Sequence, residues 1–194
     1  MPSIWIADLA AYNAGHLVGE WVELDADTEA EDVYAKIKDI CARGDELLRK
    51  LNEWSGPHEE FAIHDFEGFG PIKIGEYDPI SAVLTHVERM GDEPDKYFAY
   101  VEHHGEGYVD SYDEADVIDT GQTTMRDVAY EVADEYLEQV RHMDIPGQYR
   151  HERDENDRIT NWLACYFDYD ALARDLEIEG NYVEYGGRIY EIVD

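Results

Sequence analysis

The chain has 194 residues, with 47 acids against 15 lysines and arginines and a formal net charge of −32. Such a balance excludes direct binding to nucleic acid, whose phosphates demand cations. The 44% hydrophobic content, with 15 Tyr and 4 Trp, equally excludes an acidic disordered tail, and the length suits one ordinary domain or two or three small ones. The first twenty residues lack a basic start, and no apolar run approaches the ~20 residues of a membrane helix, so a soluble cytoplasmic protein without membrane association is expected.

In chain order, Ile4 to Leu9 reads as a first strand, Tyr12 to His16 as a turn and Leu17 to Leu24 as a second strand of the same hairpin. Asp27-Thr28 opens a helix, with Thr28 as cap and Glu31 placed as in a capping box. Val33, Ile37, Ile40 and Cys41 form its apolar stripe. Gly44 either ends that helix or is absorbed within it, and Leu47, Leu48, Leu51 and Trp54 continue the pattern to Ser55-Gly56-Pro57. Glu60 to Phe66 reads as a third strand. Asp78-Pro79 starts a helix that stops at Gly91, and Asp92 to Asp95 starts a second one running through Val101. A turn at His103–Gly107 and a short segment, Tyr108 to Tyr112, follow.

Ala115 to Asp119 is a short strand candidate. Thr123 or Thr124 caps the longest amphipathic helix, which reaches about Val140. Met125, Val128, Ala129, Val132, Ala133, Tyr136, Leu137 and Val140 lie on its apolar face, and Asp127, Glu131, Asp134, Glu135 and Glu138 on the other. Gln148 to Asn161 is so charged that it reads as a loop. The apolar run Trp162 to Phe167 then ends in Asp168 and Asp170, ahead of a short amphipathic segment with Leu172 and Leu176 on one face. A terminal hairpin turns at Gly186-Gly187. The expected architecture is α+β, an N-terminal mixed domain at 1–77, a small helical middle at 78–114 and a C-terminal mixed domain at 115–194.

Residue types that carry chemistry are scattered rather than gathered. Asp25 to Asp32 alternates acids like a calcium loop, but Ala30 stands where that loop needs glycine and Lys36 where it needs glutamate. His64 and Asp65, adjacent on a strand, point to opposite faces, and His103-His104 lacks a helical metal-site spacing. Cys41 and Cys165 read as buried free thiols of a reducing compartment. Neither a catalytic constellation nor a cofactor or metal site is expected.

The charge is the stronger signal. Residues 1–32 hold 8 acids and no lysine or arginine, and residues 101–194 hold 25 acids against 7 bases, net −18. Ordinary solvated surfaces mix both signs. A halophile's acidic protein or small enzyme is one explanation; a folded polyanion that imitates DNA is the other. Duplex DNA carries one charge per ~1.7 Å, so 32 charges match roughly 54 Å of duplex, about 16 base pairs. On this reading the target-facing acids are Asp25, Asp27, Glu29, Glu31, Asp110, Asp113, Glu114, Asp116, Asp119, Asp127, Glu131, Asp134, Glu135, Glu138, Asp168, Asp170 and Asp175.

Three blocks carry a resemblance to a known family. They are Ile4 to Trp21, Phe61 to Glu67 followed by Ile80 to Leu84, and Tyr166 to Leu176 followed by Gly187 to Val193. In that order they resemble the ArdA antirestriction proteins of mobile elements, along nearly the whole chain. The resemblance implies three small domains in a curved row, dimerised through the C-terminal one, and a surface that imitates bent B-form DNA. It implies occupation of the DNA-binding groove of type I restriction–modification enzymes, blocking restriction. The family's antirestriction motif corresponds to Thr124 to Leu137, with Thr124, Met125, Asp127, Val128, Tyr130, Glu131, Asp134, Tyr136 and Leu137 as its residues here. A homodimer seam is expected around Met125, Val128, Val132, Tyr136, Trp162, Tyr166 and Phe167, because the apolar face of 124–140 looks too long for so small a unit to cover. A DNA mimic aimed at another DNA-binding protein differs only in its target. The chain departs from shorter members in a longer first helical region, about 38–57, and in the charged stretch 148–158.

Overall fold

Alternation of apolar side chains along residues 3–8 sets up the first sheet. In β1 (Ser3–Asp8) Ile4 and Ile6 are wholly buried on one face. β1 is the central strand, flanked antiparallel by β2 (Gly19–Glu23) and β3 (Phe61–Glu67). Ile4 faces Val22 and Phe66, and Ile6 faces Ile63, so the aliphatic groups of all three strands gather on the same side. The register against β3 shifts between Trp5 and Ile6, which skips His64. The computed structural model describes residues 1–54, 56–141 and 153–193. They form two compact units, Met1–Tyr112 and Asp113–Asp194, of mixed helix and strand, the α+β class expected from the sequence.

In the first unit a five-residue helix, α1 (Leu9–Asn13), starts directly at the end of β1, where a turn was expected only from Tyr12. Asp8 makes it possible by accepting from the N–H groups of Ala10 and Ala11. α2 (Ala30–Leu51) lies on the aliphatic face with Val33, Ile37, Ile40, Cys41 and Leu48 buried. The expected Thr28 cap is not made. The Thr28 hydroxyl accepts from Asp25 N–H at 2.9 Å and donates to the Asp25 carboxylate at 2.6 Å, closing the loop ahead of the helix, which starts two residues later. α2 runs through Gly44 unbroken and ends at Asn52, whose φ of 59° places it in the left-handed region. α3 (Ile80–Met90) and α4 (Pro94–His104) pack together, with Val83, Val87, Met90, Tyr97, Phe98 and Val101 buried and Pro94 in the first turn.

Gly44 is internal because of Asp8. That carboxylate is fully buried, bonded to the His58 ring as well as to the two N–H groups. A Cβ at Gly44 would stand 1.7 Å from Asp8 Oδ2 and 3.1 Å from His58 Nδ1. Only glycine lets α2 approach the end of β1 so closely.

In the second unit β6 (Arg188–Ile192) is central, between β4 (Val117–Asp119) and β5 (Tyr182–Tyr185), all antiparallel. The β5–β6 hairpin turns at Gly186 and Gly187, with φ of 59° and 79°, as the glycine pair led us to expect. α5 (Met125–Arg141) packs on α7 (Tyr169–Glu179). Val128, Ala129, Ala173, Leu176 and Ile189 are its buried core, with Met125, Val132, Leu172 and Tyr182 against them.

The charged stretch 148–161 departs from expectation. Its residues 148–152 lie outside those described, but α6 (Arg153–Ala164) occupies the remainder and continues into the apolar run. Charge does not break helices. Glycine and proline do, and none occurs between 148 and 179. Thr160 is buried, and α6 packs on α5.

Gly44→Ala tests the account of α2. In a solvated helix interior alanine is better than glycine by about 1 kcal/mol. Here the methyl meets an immobilised carboxylate, so we expect a loss of roughly 2 kcal/mol and a lower melting temperature. A variant that melts at or above the wild-type temperature would show that Asp8 is free to move.

Candidate acidic binding surface

A carboxylate that no cation neutralises belongs in water, because burying it bare is prohibitively costly. The proposed target-facing acids obey this rule throughout. Asp116, Asp119 and Asp127 are half-buried, and the other fourteen are exposed.

In the first unit Asp25, Asp27, Glu29 and Glu31 stand on the loop before α2 and on its first turn. Asp25 also has a structural task, since its carboxylate holds the Thr28 hydroxyl and Asp27 N–H. Glu23, Asp25, Asp27 and Asp32 line a recess of about 310 Å³ together with Lys36, Thr28, Val22 and Val33. Asp110, on the short turn Glu106–Ser111, pairs with Arg89 at 2.9 Å.

In the second unit several acids shape the chain as well as charge it. Asp113 accepts from Ala115 N–H and Asp119 from Gly121 N–H, closing successive turns. Asp119 also pairs with Arg188 across the sheet. Thr124, the expected cap, accepts from Asp127 N–H at 3.2 Å and donates its hydroxyl to the Asp127 carboxylate. Glu131 accepts from the Gln122 amide. Asp168 caps α7 by accepting from Ala171 N–H at 2.9 Å, and Asp170 lies 3.2 Å from Arg126. Glu114, Asp134, Glu135, Glu138 and Asp175 are exposed. Along α5, Val128, Ala129 and Ala133 go inward and Glu131, Asp134, Glu135 and Glu138 go to water, but Tyr136, expected on the apolar face, is exposed, as is Tyr130.

The residues expected at a dimer seam fall into two groups. Val128 is spent on the unit's own core, with Met125 and Val132 packed against it, so α7 and β6 cover a face that seemed too long for one unit. Leu137 is half-buried. Tyr136, Trp162, Tyr166 and Phe167 are 65%, 60%, 74% and 41% exposed. The run 162–167 is thus not core: its first part is the last turn of α6, and its second part links α6 to α7. Cys165 lies in that link, exposed, and not buried as its apolar neighbours suggested. Cys41 is buried, and burial beside Asp8 pushes its thiol up to about 11, so it is inert at neutral pH.

Sequence reasoning missed the knot of Asp8, Gly44 and His58, because its members are far apart in the chain and only the fold brings them together. It also missed the pairing of arginine with both a ring and a carboxylate, described below.

The family model of the antirestriction protein ArdA matches residues 4–190. The chain belongs to the ArdA antirestriction family. No curated protein matches it. Family membership makes the restriction of foreign DNA the process this chain opposes, and restriction enzymes the class of protein it acts against. No helix among the described residues is long and apolar enough to cross a membrane.

Proposed function

We propose that this ArdA protein inhibits type I restriction–modification enzymes by imitating bent B-form DNA and filling their DNA-binding groove. The observation that carries the reading is a net charge of −32 displayed outside small buried cores. An enzyme that grips phosphates by arginine and lysine meets the same charge pattern here and is kept from DNA. The protein is an inhibitor and not a catalyst, works in the cytoplasm without a cofactor, and blocks restriction, with modification by the same core as the second activity at stake. In this reading 1–77, 78–114 and 115–194 act as successive small domains along the mimic, and the α5 motif, Thr124 to Leu137, is part of the surface that meets the target.

Competition with DNA tests this directly. The protein should displace a duplex from the methyltransferase core, and simultaneous binding of both would contradict mimicry. Charge acting collectively has no hot spot, so single amide replacements among Asp127, Glu131, Asp134, Glu135 and Glu138 should be nearly silent. All five together should weaken inhibition with the fold intact. If one alone abolished inhibition in a folded protein, a specific contact would have to replace mimicry.

We also propose that the protein acts as a homodimer whose seam includes Tyr136, Trp162, Tyr166 and Phe167, since exposed aromatics of this size favour burial against a partner. Both copies bring strong negative charge, which salt screens. Sedimentation should therefore show the dimer tightening as salt is added, and a dimer that dissociates instead would mean an ionic seam elsewhere.

A further inference from the structure

The face of the first sheet turned away from α2 carries Trp5, Trp21 and Asp65 in one cross-strand row and Ser3, Glu23 and Glu67 in the next. Opposed side chains in such rows stand about 5 Å apart. Trp5 and Trp21 meet edge to face, with ring centroids 5.8 Å apart. Trp5 leans over Gly19, where a Cβ would lie 2.9 Å from its indole nitrogen, and Trp21 stays 40% exposed. Glu23, Asp65 and Glu67 are exposed, and none of the three strands contains a lysine or arginine. An indole pair in an acidic frame is therefore held partly in water.

Elsewhere the chain shows what such a frame accepts. Arg49 lies over Trp54, 4.0 Å from the ring centroid, and is bonded to Asp45 at 2.9 Å. Arg126 lies 5.8 Å from the Tyr130 ring centroid and 3.2 Å from Asp170. In both, a guanidinium takes one ring and one carboxylate at once. The sheet face offers the same two components on three strands that hold no lysine or arginine.

We propose that this face receives an arginine of the DNA-binding protein that the chain engages, with its guanidinium on the Trp5–Trp21 pair and Glu23 and Asp65 as flanking carboxylates. The proposal rests on the mimicry reading for its partner and deepens it. A phosphate-gripping arginine would be held by a carboxylate, as it is by a phosphate, and also by a ring that DNA's backbone lacks. Arginine suits this better than lysine, because the guanidinium is planar, weakly hydrated and able to stack while it pairs.

The test uses the full chain with hexa-arginine and hexa-lysine peptides, by calorimetry at moderate salt. The wild type should prefer the arginine peptide by roughly fivefold, within the range of a partly exposed cation–ring contact. Trp21→Leu should abolish that preference, weakening the arginine peptide more than the lysine peptide. A wild type without preference, or a folded Trp21→Leu that keeps it, overturns the proposal. Should Trp21→Leu fail to fold, Trp21→Phe decides: its weaker ring should lower the preference about twofold, and an unchanged preference overturns the proposal. DNA competition is scored separately. A wild type that competes with DNA, beside a Trp21→Leu that keeps the preference, defeats this inference alone. A preference that depends on Trp21 in a protein that does not compete defeats only the choice of target.

Discussion

Repulsion between like charges is the constraint on which this structure depends. Two unit charges ~10 Å apart in water repel by about 0.4 kcal/mol, and a net charge of −32 multiplies such pairs many times over. A chain of this composition folds only where each acid keeps its water and the apolar groups still find each other. Cores here are accordingly small and local: strands against α2 and α3 against α4 in the first unit, α5 and α7 against β6 in the second. In α2, Arg49 pairs with Asp45 and Lys50 with Glu46 within the helix, while Arg43 reaches Glu20 on β2, so the longer helical region is nearly neutral and leaves the rest of the surface to the acids.

Asp8 is the exception that shows the rule. It is the fully buried carboxylate among the described residues, and it lies in a dense cradle of two N–H groups and one imidazole, under a glycine that no other residue could replace without a collision. Elsewhere the acids that do structural work do it from the surface, by closing turns and capping helices, as Asp113, Asp127 and Asp168 do. These tasks cost little of their charge. The same carboxylates that shape the backbone stay visible to a partner, which allows one residue type to serve folding and mimicry together.

Patterns with a local cause were legible in the sequence. The apolar stripe of α2, the amphipathic α5, the Gly186-Gly187 hairpin and the α+β class all follow from periodicity or turn chemistry. The outward position of the acids followed from charge alone. What was not legible depended on distant partners or on a misread cue. The charge of 153–161 suggested a loop, yet nothing in it breaks a helix. The apolar neighbours of Cys165 suggested a buried thiol, yet it lies exposed in the link from α6 to α7. Thr28 met the pattern of a cap and spends its hydroxyl on Asp25. Whether a helical face is already covered, as that of α5 is by α7 and β6, cannot be read from the face itself.

The central claim is that the surface acts as a collective polyanion, and the salt dependence of target binding tests it most directly. The association constant between this protein and a type I methyltransferase core should fall as ionic strength rises, by roughly tenfold or more between about 50 and about 200 mM salt, as DNA binding does. An affinity that stays flat over that range would contradict the account and assign recognition to a few specific contacts.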